Sequence, residues 1–376
     1  MHISEYDYVY PEQAIALHPP KKRGGSKLFV VLTQTGEIIQ DVYENLDRYI
    51  ASTDVLVRNT TKVFRARIQG VPVLQDKTRA PECEIFLTEP HAQTFEEYAA
   101  RQYDQEANGY RLVFLAPKRK LFLSQLNYVD LGNGVRIKAI SERAGAFEGV
   151  FCREYQKLSV DELFAFFEQA GKVPLPPYIR RETEAADAAR YQTIFAEKLG
   201  SVAAPTASLN FTKTLEKRLR QQGTTLVDVT LHVGRGTFLP LRHDDIEKNE
   251  LHFEPYFLSA SAARSLHQAK FAMRRVIAMG TTAMRTLETV ASELLQHDYE
   301  ARDLSGETNL FIYPPFEFRL VDALVTNFHF PKSSLITLVD AFLQHKQAKQ
   351  TWREIYEYAI QNDAKLFSYG DSLLIL

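Results

Sequence analysis

The sequence predicts an α/β main domain with a mainly parallel sheet, plus an inserted small β-barrel domain. Three observations carry that expectation. From Ser159 onward, strand-like and helix-like patterns alternate, as they do in chains built from βα units. From about 68 to 156 the pattern is short strands between turn residues, which suits a small barrel or sandwich. The chain, at 376 residues, is too long for one small core. The expected organisation is a discontinuous α/β domain of 1–67 and 157–376, interrupted by a barrel of 68–156.

Taken in order, Asp54-Val-Leu-Val57 reads as a short buried strand. In Val63 to Ile68 the period of two puts Arg65 and Arg67 on one face and Phe64, Ala66 and Ile68 on the other. The insert carries strands at Glu84–Leu87, Tyr110–Leu115, Val135–Ile140 and Gly149–Cys152, with an exposed helix over Gln93–Tyr103. Ser159 and Glu162 form a capping box, Leu163, Phe166 and Phe167 an apolar stripe, and Gly171 a stop. A helix over Thr214–Gln222 ends at Gly223, and a strand follows over Leu226–Val233. The strand Val276–Met279 precedes a helix with Leu287, Val290 and Leu294 at helical spacing. The strand Phe318–Phe328 precedes one bearing Leu335, Leu338, Val339 and Phe342.

Composition narrows the function. No run of eighteen apolar residues exists, so no membrane span is expected. Acidic residues stand near Met1 where a signal peptide would carry positive charge, so a cytoplasmic protein is expected. Cys83 and Cys152 build neither a disulfide framework nor a CxxC pair, and the histidines show no HxH or HExxH spacing, so no metal is expected. A net charge of -2 supplies no global attraction to nucleic acid. RNA binding would have to use local patches: Lys21 to Lys27, Arg58 to Arg67, or Lys118 to Lys120. Each such cluster is, by default, simply a solvated face.

In open α/β sheets, ligands bind beyond the carboxyl ends of the strands, and three such ends hold candidates. After Asp228–Val233, His232 alternates away from the apolar face and precedes Gly234-Arg-Gly236. Glycines there admit a close backbone approach, or form an ordinary turn. Gly280-Thr281-Thr282 runs directly into a helix, whose free N–H groups favour an anion, with Arg285 one turn in. The plain alternative is a threonine N-cap and an Arg285–Glu288 side-chain pair. At the third end, Asn327 and His329 share a face, while Asp322 lies within the strand as either a site carboxylate or a satisfied anchor. A fourth segment, Lys172 to Arg181, is held extended by three prolines and could present Tyr178, Arg180 and Arg181 to a base and a phosphate, or be a rigid connector.

At these segments the sequence resembles the S-adenosylmethionine:tRNA ribosyltransferase-isomerase family. The resemblance rests on Pro174–Ile179, Tyr191-Gln-Thr193, Gly200–Ala207, Leu231-His-Val-Gly234 with Gly236-Thr-Phe238, and Gly280-Thr-Thr282 with Arg285–Glu288. It continues through Phe311–Pro314, Val321–Leu324, Thr326–His329, Pro331-Lys-Ser333 and Phe367–Asp371, with Asp54–Val57 and Arg65-Ala-Arg67 near the start. The chain departs from the family at Ser208 and Asn210, where glycine and histidine are usual, and at Pro315, where glycine is usual.

The resemblance implies an α/β domain with an inserted barrel. It also implies S-adenosylmethionine as a substrate that loses its ribosyl group while adenine and methionine leave. The acceptor implied is 7-aminomethyl-7-deazaguanine in the tRNA wobble position, and the product is epoxyqueuosine tRNA. Such chemistry needs a base, and an acid for the departing adenine. His232, His329 and Asp322, with Glu288, are the candidates, the histidines being favoured for their ordinary titration near neutrality. Gly234, Gly236, Gly280, Thr281, Thr282 and Arg285 are the expected S-adenosylmethionine-binding set. Arg65, Arg67, Tyr178, Arg180 and Arg181 are the expected RNA-binding set. A monomer is the working expectation. Ser208 and Asn210 keep two alternatives open: a divergent paralogue acting on another acceptor, and a catalytically silent tRNA-binding protein.

Overall fold

Period-two alternation sorts the residues of the main strands onto two opposite apolar layers. In the strand Val55–Asn59, Val55 and Val57 join one buried cluster while Leu56 joins another. Phe29 and Val31 against Leu28 and Val30, and Val276 and Ala278 against Ile277 and Met279, divide in the same way. A strand buried on both faces must be covered by helices on both. A computed structural model of the chain shows this arrangement, and it describes residues 1–89, 110–115, 123–143, 146–154, 156–234, 241 and 243–376.

The main sheet has nine strands: β1 (Lys27–Leu32), β2 (Glu37–Val42), β3 (Val55–Asn59), β4 (Thr225–Leu231), β5 (Glu254–Leu258), β6 (Val276–Met279), β7 (Leu304–Thr308), β8 (Ala323–Asn327) and β9 (Ser372–Ile375). Their order is β7-β5-β4-β3-β6-β8-β9-β1-β2. The central four, β4-β3-β6-β8, are parallel. Flanking pairs β4/β5, β5/β7, β8/β9 and β1/β2 are antiparallel, and β9/β1 is parallel. The sheet is therefore mixed, and the expectation of a mainly parallel one holds only at its centre. Helical crossovers link the central strands, whereas one margin is the β1/β2 hairpin with β9 and the other is the antiparallel pair β5/β7.

The helices are α1 (Lys213–Gln222), α2 (Ala260–Phe271), α3 (Thr281–Leu294), α4 (Ser334–His345) and α5 (Trp352–Gln361). One face of the sheet is covered by α2 to α5 through Leu266, Leu287, Val290, Phe342 and Tyr356. The other is covered by Leu215 and Leu219 of α1 with Tyr43, Leu46 and Phe211. Local chemistry explains the ends of α1: Thr212 accepts the Leu215 N–H, and Gly223 adopts φ +101°, which a side chain would disfavour. The strand expected over Phe318–Phe328 is confined to β8. Its first part leaves the ladder because the Glu288 carboxylate takes the N–H groups of Arg319, Leu320 and Val321 at 2.9, 3.1 and 2.9 Å.

The chain divides into two units, Met1–Lys62 with Leu175–Lys198 and Ala204–Leu376, and Val63–Pro174 with Leu199–Ala203. The second is wider than the expected 68–156. The reason is packing: Leu163, Phe166 and Phe167 of the helix Val160–Ala170 join Phe64, Ile85, Ile137 and Phe151 in a core of their own. The capping box of Ser159 and Glu162 forms as the sequence requires. At Gly171 the backbone is extended (φ -81°), so the helix stops without a left-handed residue. A side chain there would collide with the carbonyls of Arg65 and Phe167.

The strands of this unit form an antiparallel sheet in the order Gln156–Lys157, Ala146–Arg153, Tyr110–Leu115, Cys83–Glu89, Arg67–Leu74, Leu126–Asp130 and Val135–Arg143. The last also pairs with Ala146–Arg153. The single strand expected over Val63–Ile68 breaks at Phe64–Ala66. Phe64, Ala66 and Ile68 are buried all the same, while Arg65 and Arg67 are partly exposed. The helix expected over Gln93–Tyr103 and the basic run Lys118–Lys120 lie outside the described residues.

Candidate active site

The four parallel strands deliver their carboxyl ends to one edge of the sheet, and each is followed there by polar residues. After β3 come Thr60 and Thr61, after β4 His232 to Gly234, after β6 Gly280 to Thr282, and after β8 Phe328 and His329. Asn59 ties three of these ends together. Its Oδ1 accepts the N–H groups of Thr61 and Leu231, both at 3.1 Å, and its Nδ2 donates to Leu231 O at 3.0 Å and to Thr282 Oγ1 at 3.1 Å. Gly280, at φ +100°, caps α3 and donates its N–H to Val325 O at 2.8 Å. No side chain caps α3, so the N–H groups of its first turn are left to a ligand or solvent.

Arg285 and Glu254 line the same edge as a buried ion pair. Glu254 holds Arg285 through Oε2 and accepts the Gly234 N–H through Oε1 at 2.9 Å, while Arg285 also donates to Leu310 O at 2.9 Å. Glu254 thus joins the loop after β4 to the first turns of α3. Beside it lies a small cleft, open to solvent and lined among others by His252, Glu254, Thr281, Thr282, Arg285 and Leu310. The sequence reading gave Arg285 to a substrate anion. Its guanidinium is already committed to Glu254, which leaves the α3 N-terminus as the freer anion-binding feature.

Both histidines are buried and each is held by a threonine. Thr61 Oγ1 meets His232 Nδ1 at 2.7 Å, and Thr326 Oγ1 meets His329 Nε2 at 2.7 Å. The His329 backbone is fixed by Tyr356 OH at 3.0 Å, bonded to its N–H, and by Tyr8 OH at 2.7 Å, bonded to its carbonyl. Burial pushes the His232 imidazole down to about 4 and that of His329 down to about 3. The reading that valued them for titrating near neutrality is corrected on this point, since both rings are neutral at pH 7. They follow strands three ladder spacings apart, roughly 14 Å, so they face different parts of any ligand along this edge.

Other candidates are placed elsewhere. Asp322 precedes β8, at the amino end of the strands, where its carboxylate takes Lys270 Nζ at 3.0 Å and the Val276 N–H at 2.8 Å. It is an anchor of the sheet, away from the histidines. Glu288 clamps residues 319 to 321, as described above, and burial raises its pKa. Arg181 forks onto buried Asp187 with two bonds of 2.7 Å, and Tyr178 packs against Phe330 and Phe367 and bonds Ser368 through its hydroxyl. Neither is held out to a partner.

Arg180 is exposed. In the other unit Arg65 meets Glu168 and Arg67 meets Glu84. Gly236 lies outside the described residues. Ser208 and Asn210, the family departures, are buried at 0% and 2% exposure. Asn59, Thr61 and Glu254 were missed. The signal for the first two was available: they end or follow a strand read correctly over Asp54–Val57, at the edge where ligands bind. Among the described residues no group of three metal-ligating side chains gathers.

Comparison with known proteins agrees with this architecture. A family model described as queuosine biosynthesis protein matches residues 3–375. Curated relatives named S-adenosylmethionine:tRNA ribosyltransferase-isomerase include those of Chlorobaculum parvum, 38% identical over 377 residues, and Carboxydothermus hydrogenoformans, 38% identical over 376, each alignment covering 100% of both chains. The crystal structure of S-adenosylmethionine tRNA ribosyltransferase from Thermotoga maritima is 27% identical, covers 99% of this chain and 100% of its own, and superposes with a TM-score of 0.52. With a full-length family match and full-length relatives above a third identical, the chain belongs to the queuosine biosynthesis protein family.

Proposed function

We propose that this chain is an S-adenosylmethionine:tRNA ribosyltransferase-isomerase. It moves the ribosyl group of S-adenosylmethionine onto 7-aminomethyl-7-deazaguanine in the tRNA wobble position, and adenine and methionine leave. The observation that carries this reading is the full-length likeness to relatives of that name. The polar edge of the sheet supports it: an uncapped helix N-terminus beside a cleft suits the methionine carboxylate. Thr281 and Thr282 would hold that carboxylate by their N–H groups, and Gly234 and Gly280 would let the backbone approach. Arg285 would shape the wall through Glu254. His232 and His329, both neutral, would act as bases or neutral donors and not as imidazolium acids.

The second unit is read as a small inserted β-barrel, because its antiparallel strands pair in a continuous ring. Exposed Arg180, with Arg65 and Arg67, is read as meeting the RNA backbone. No helix among the described residues is long and apolar enough to cross a membrane, and a cytoplasmic location fits a tRNA substrate.

Incubation with S-adenosylmethionine and tRNA carrying the aminomethyl-deazaguanine is expected to release adenine and leave a heavier nucleoside. Adenine without any change in that nucleoside would point to a paralogue with another acceptor. TRNA binding with no adenine at all would point to a silent binder.

A further inference from the structure

The hydrogen-bonding surroundings of His232 decide which of its nitrogens carries the proton. Thr61 is fully buried, and among the described residues its hydroxyl oxygen has no hydrogen-bond partner besides His232 Nδ1, at 2.7 Å. Two arrangements are conceivable. If Nδ1 carried the proton and donated it to Thr61, the threonine's own hydroxyl proton would be buried without an acceptor, and such an orphan carries a desolvation cost. If the threonine donates to Nδ1, every proton at this contact is satisfied. The second arrangement wins, and it puts the ring proton on Nε2.

Thr61 cannot drift out of this role. Its backbone N–H is held by Asn59 Oδ1, and the same carboxamide grips Leu231 and Thr282. The strand end, the histidine and the start of α3 are therefore fixed together. With Nδ1 engaged, Nε2 is the nitrogen left for a ligand at the edge described above, where His232 keeps 9% of its surface exposed.

We infer that Thr61 is a positioning residue that locks His232 in its Nε2–H tautomer, so that His232 donates a hydrogen bond to a lone pair on the departing adenine. The inference rests on the ribosyl-transfer reading for the identity of the acceptor, but not for the tautomer. A purine leaving a ribosyl carbon gathers electron density on its ring nitrogens, and a fixed N–H donor stabilises that density without reorganising. In this tautomer His232 is not the base of the reaction.

Nitrogen NMR of the full chain labelled with ¹⁵N-histidine tests the tautomer directly, the His232 signals being assigned by their loss in His232→Asn. The expected result is a protonated Nε2 and a bare Nδ1. Thr61→Val keeps the volume but removes the hydroxyl; it is expected to mix the tautomers and lower kcat for adenine release about tenfold or more, with KM for S-adenosylmethionine within about twofold. Thr61→Ser is expected to restore both the spectrum and kcat. A bare Nε2 in the unaltered protein overturns the inference, as does Thr61→Val with mixed tautomers and full kcat. Failure of the functional reading looks different: the unaltered protein shows the expected tautomer yet releases no adenine, and this overturns the role toward the purine.

Discussion

Replacing Arg285 by alanine removes one half of a buried ion pair. The side chains of Arg285 and Glu254 are only 8% and 5% exposed. Without the guanidinium, Glu254 keeps its bond from the Gly234 N–H at 2.9 Å but loses the cation beside Oε2, and remains a carboxylate inside the protein. The carbonyl of Leu310 loses its donor as well. Breaking such a pair from one side costs about 3–5 kcal/mol, because a buried carboxylate loses its opposite charge. In a domain of this size that corresponds to a fall in Tm on the order of 10 °C.

Thermal and urea denaturation of Arg285→Ala would measure the loss. Adding Glu254→Gln, which removes the charge but still accepts from Gly234, is expected to recover at least about 1 kcal/mol. Well below the transition, S-adenosylmethionine binding should weaken more than tRNA binding, because the pair shapes the cleft at the start of α3. A loss below about 1 kcal/mol with no recovery in the double variant would refute the buried-charge reasoning. Equal or reversed losses of the two ligands would reject the placement of the anion site.

Three further outcomes are expected. His232 binds a proton near 6.5 when unfolded and only near 4 when folded, so stability falls as pH drops between those values. His232→Asn should remove about 2 kcal/mol of the stability difference between pH 7 and pH 5, and an unchanged pH profile would show that this ring is not buried neutral. Asp322→Asn should lower stability by about 1–2 kcal/mol through its bonds to Lys270 and Val276, yet leave kcat within about twofold; a large kcat loss would return Asp322 to the chemistry. Arg180→Ala should weaken tRNA binding and reduce its salt slope by about one ion, and an unaltered slope measured by titration would remove Arg180 from the RNA surface.

Much of the fold was legible because its signals are local. The capping box of Ser159 and Glu162, the strand Val276–Met279 running into Gly280, and the stop at Gly223 each depend on residues within one turn of one another. The misreadings involve partners more than one turn away. Phe318–Val321 has the pattern of a strand, but Glu288, some thirty residues earlier, takes its N–H groups and holds it out of the ladder. Arg181 and Tyr178 look like a basic and aromatic motif offered to RNA until Asp187 and the ring of Phe367 are seen to occupy them.

By itself, then, the sequence determined the apolar strands β3, β4 and β6, the helices α1, α3 and α4, the strand-rich second unit and the polar residues at three strand ends, because side-chain alternation and capping act over a few residues. Tertiary structure alone decided what those polar residues meet. It brought Glu254 to Arg285 and Thr61 to His232, and it carried Asp322 to the opposite end of the strands. Strand order is the physical reason. Which chain ends become neighbours follows from how the whole sheet packs its two apolar faces, and no local pattern encodes that choice.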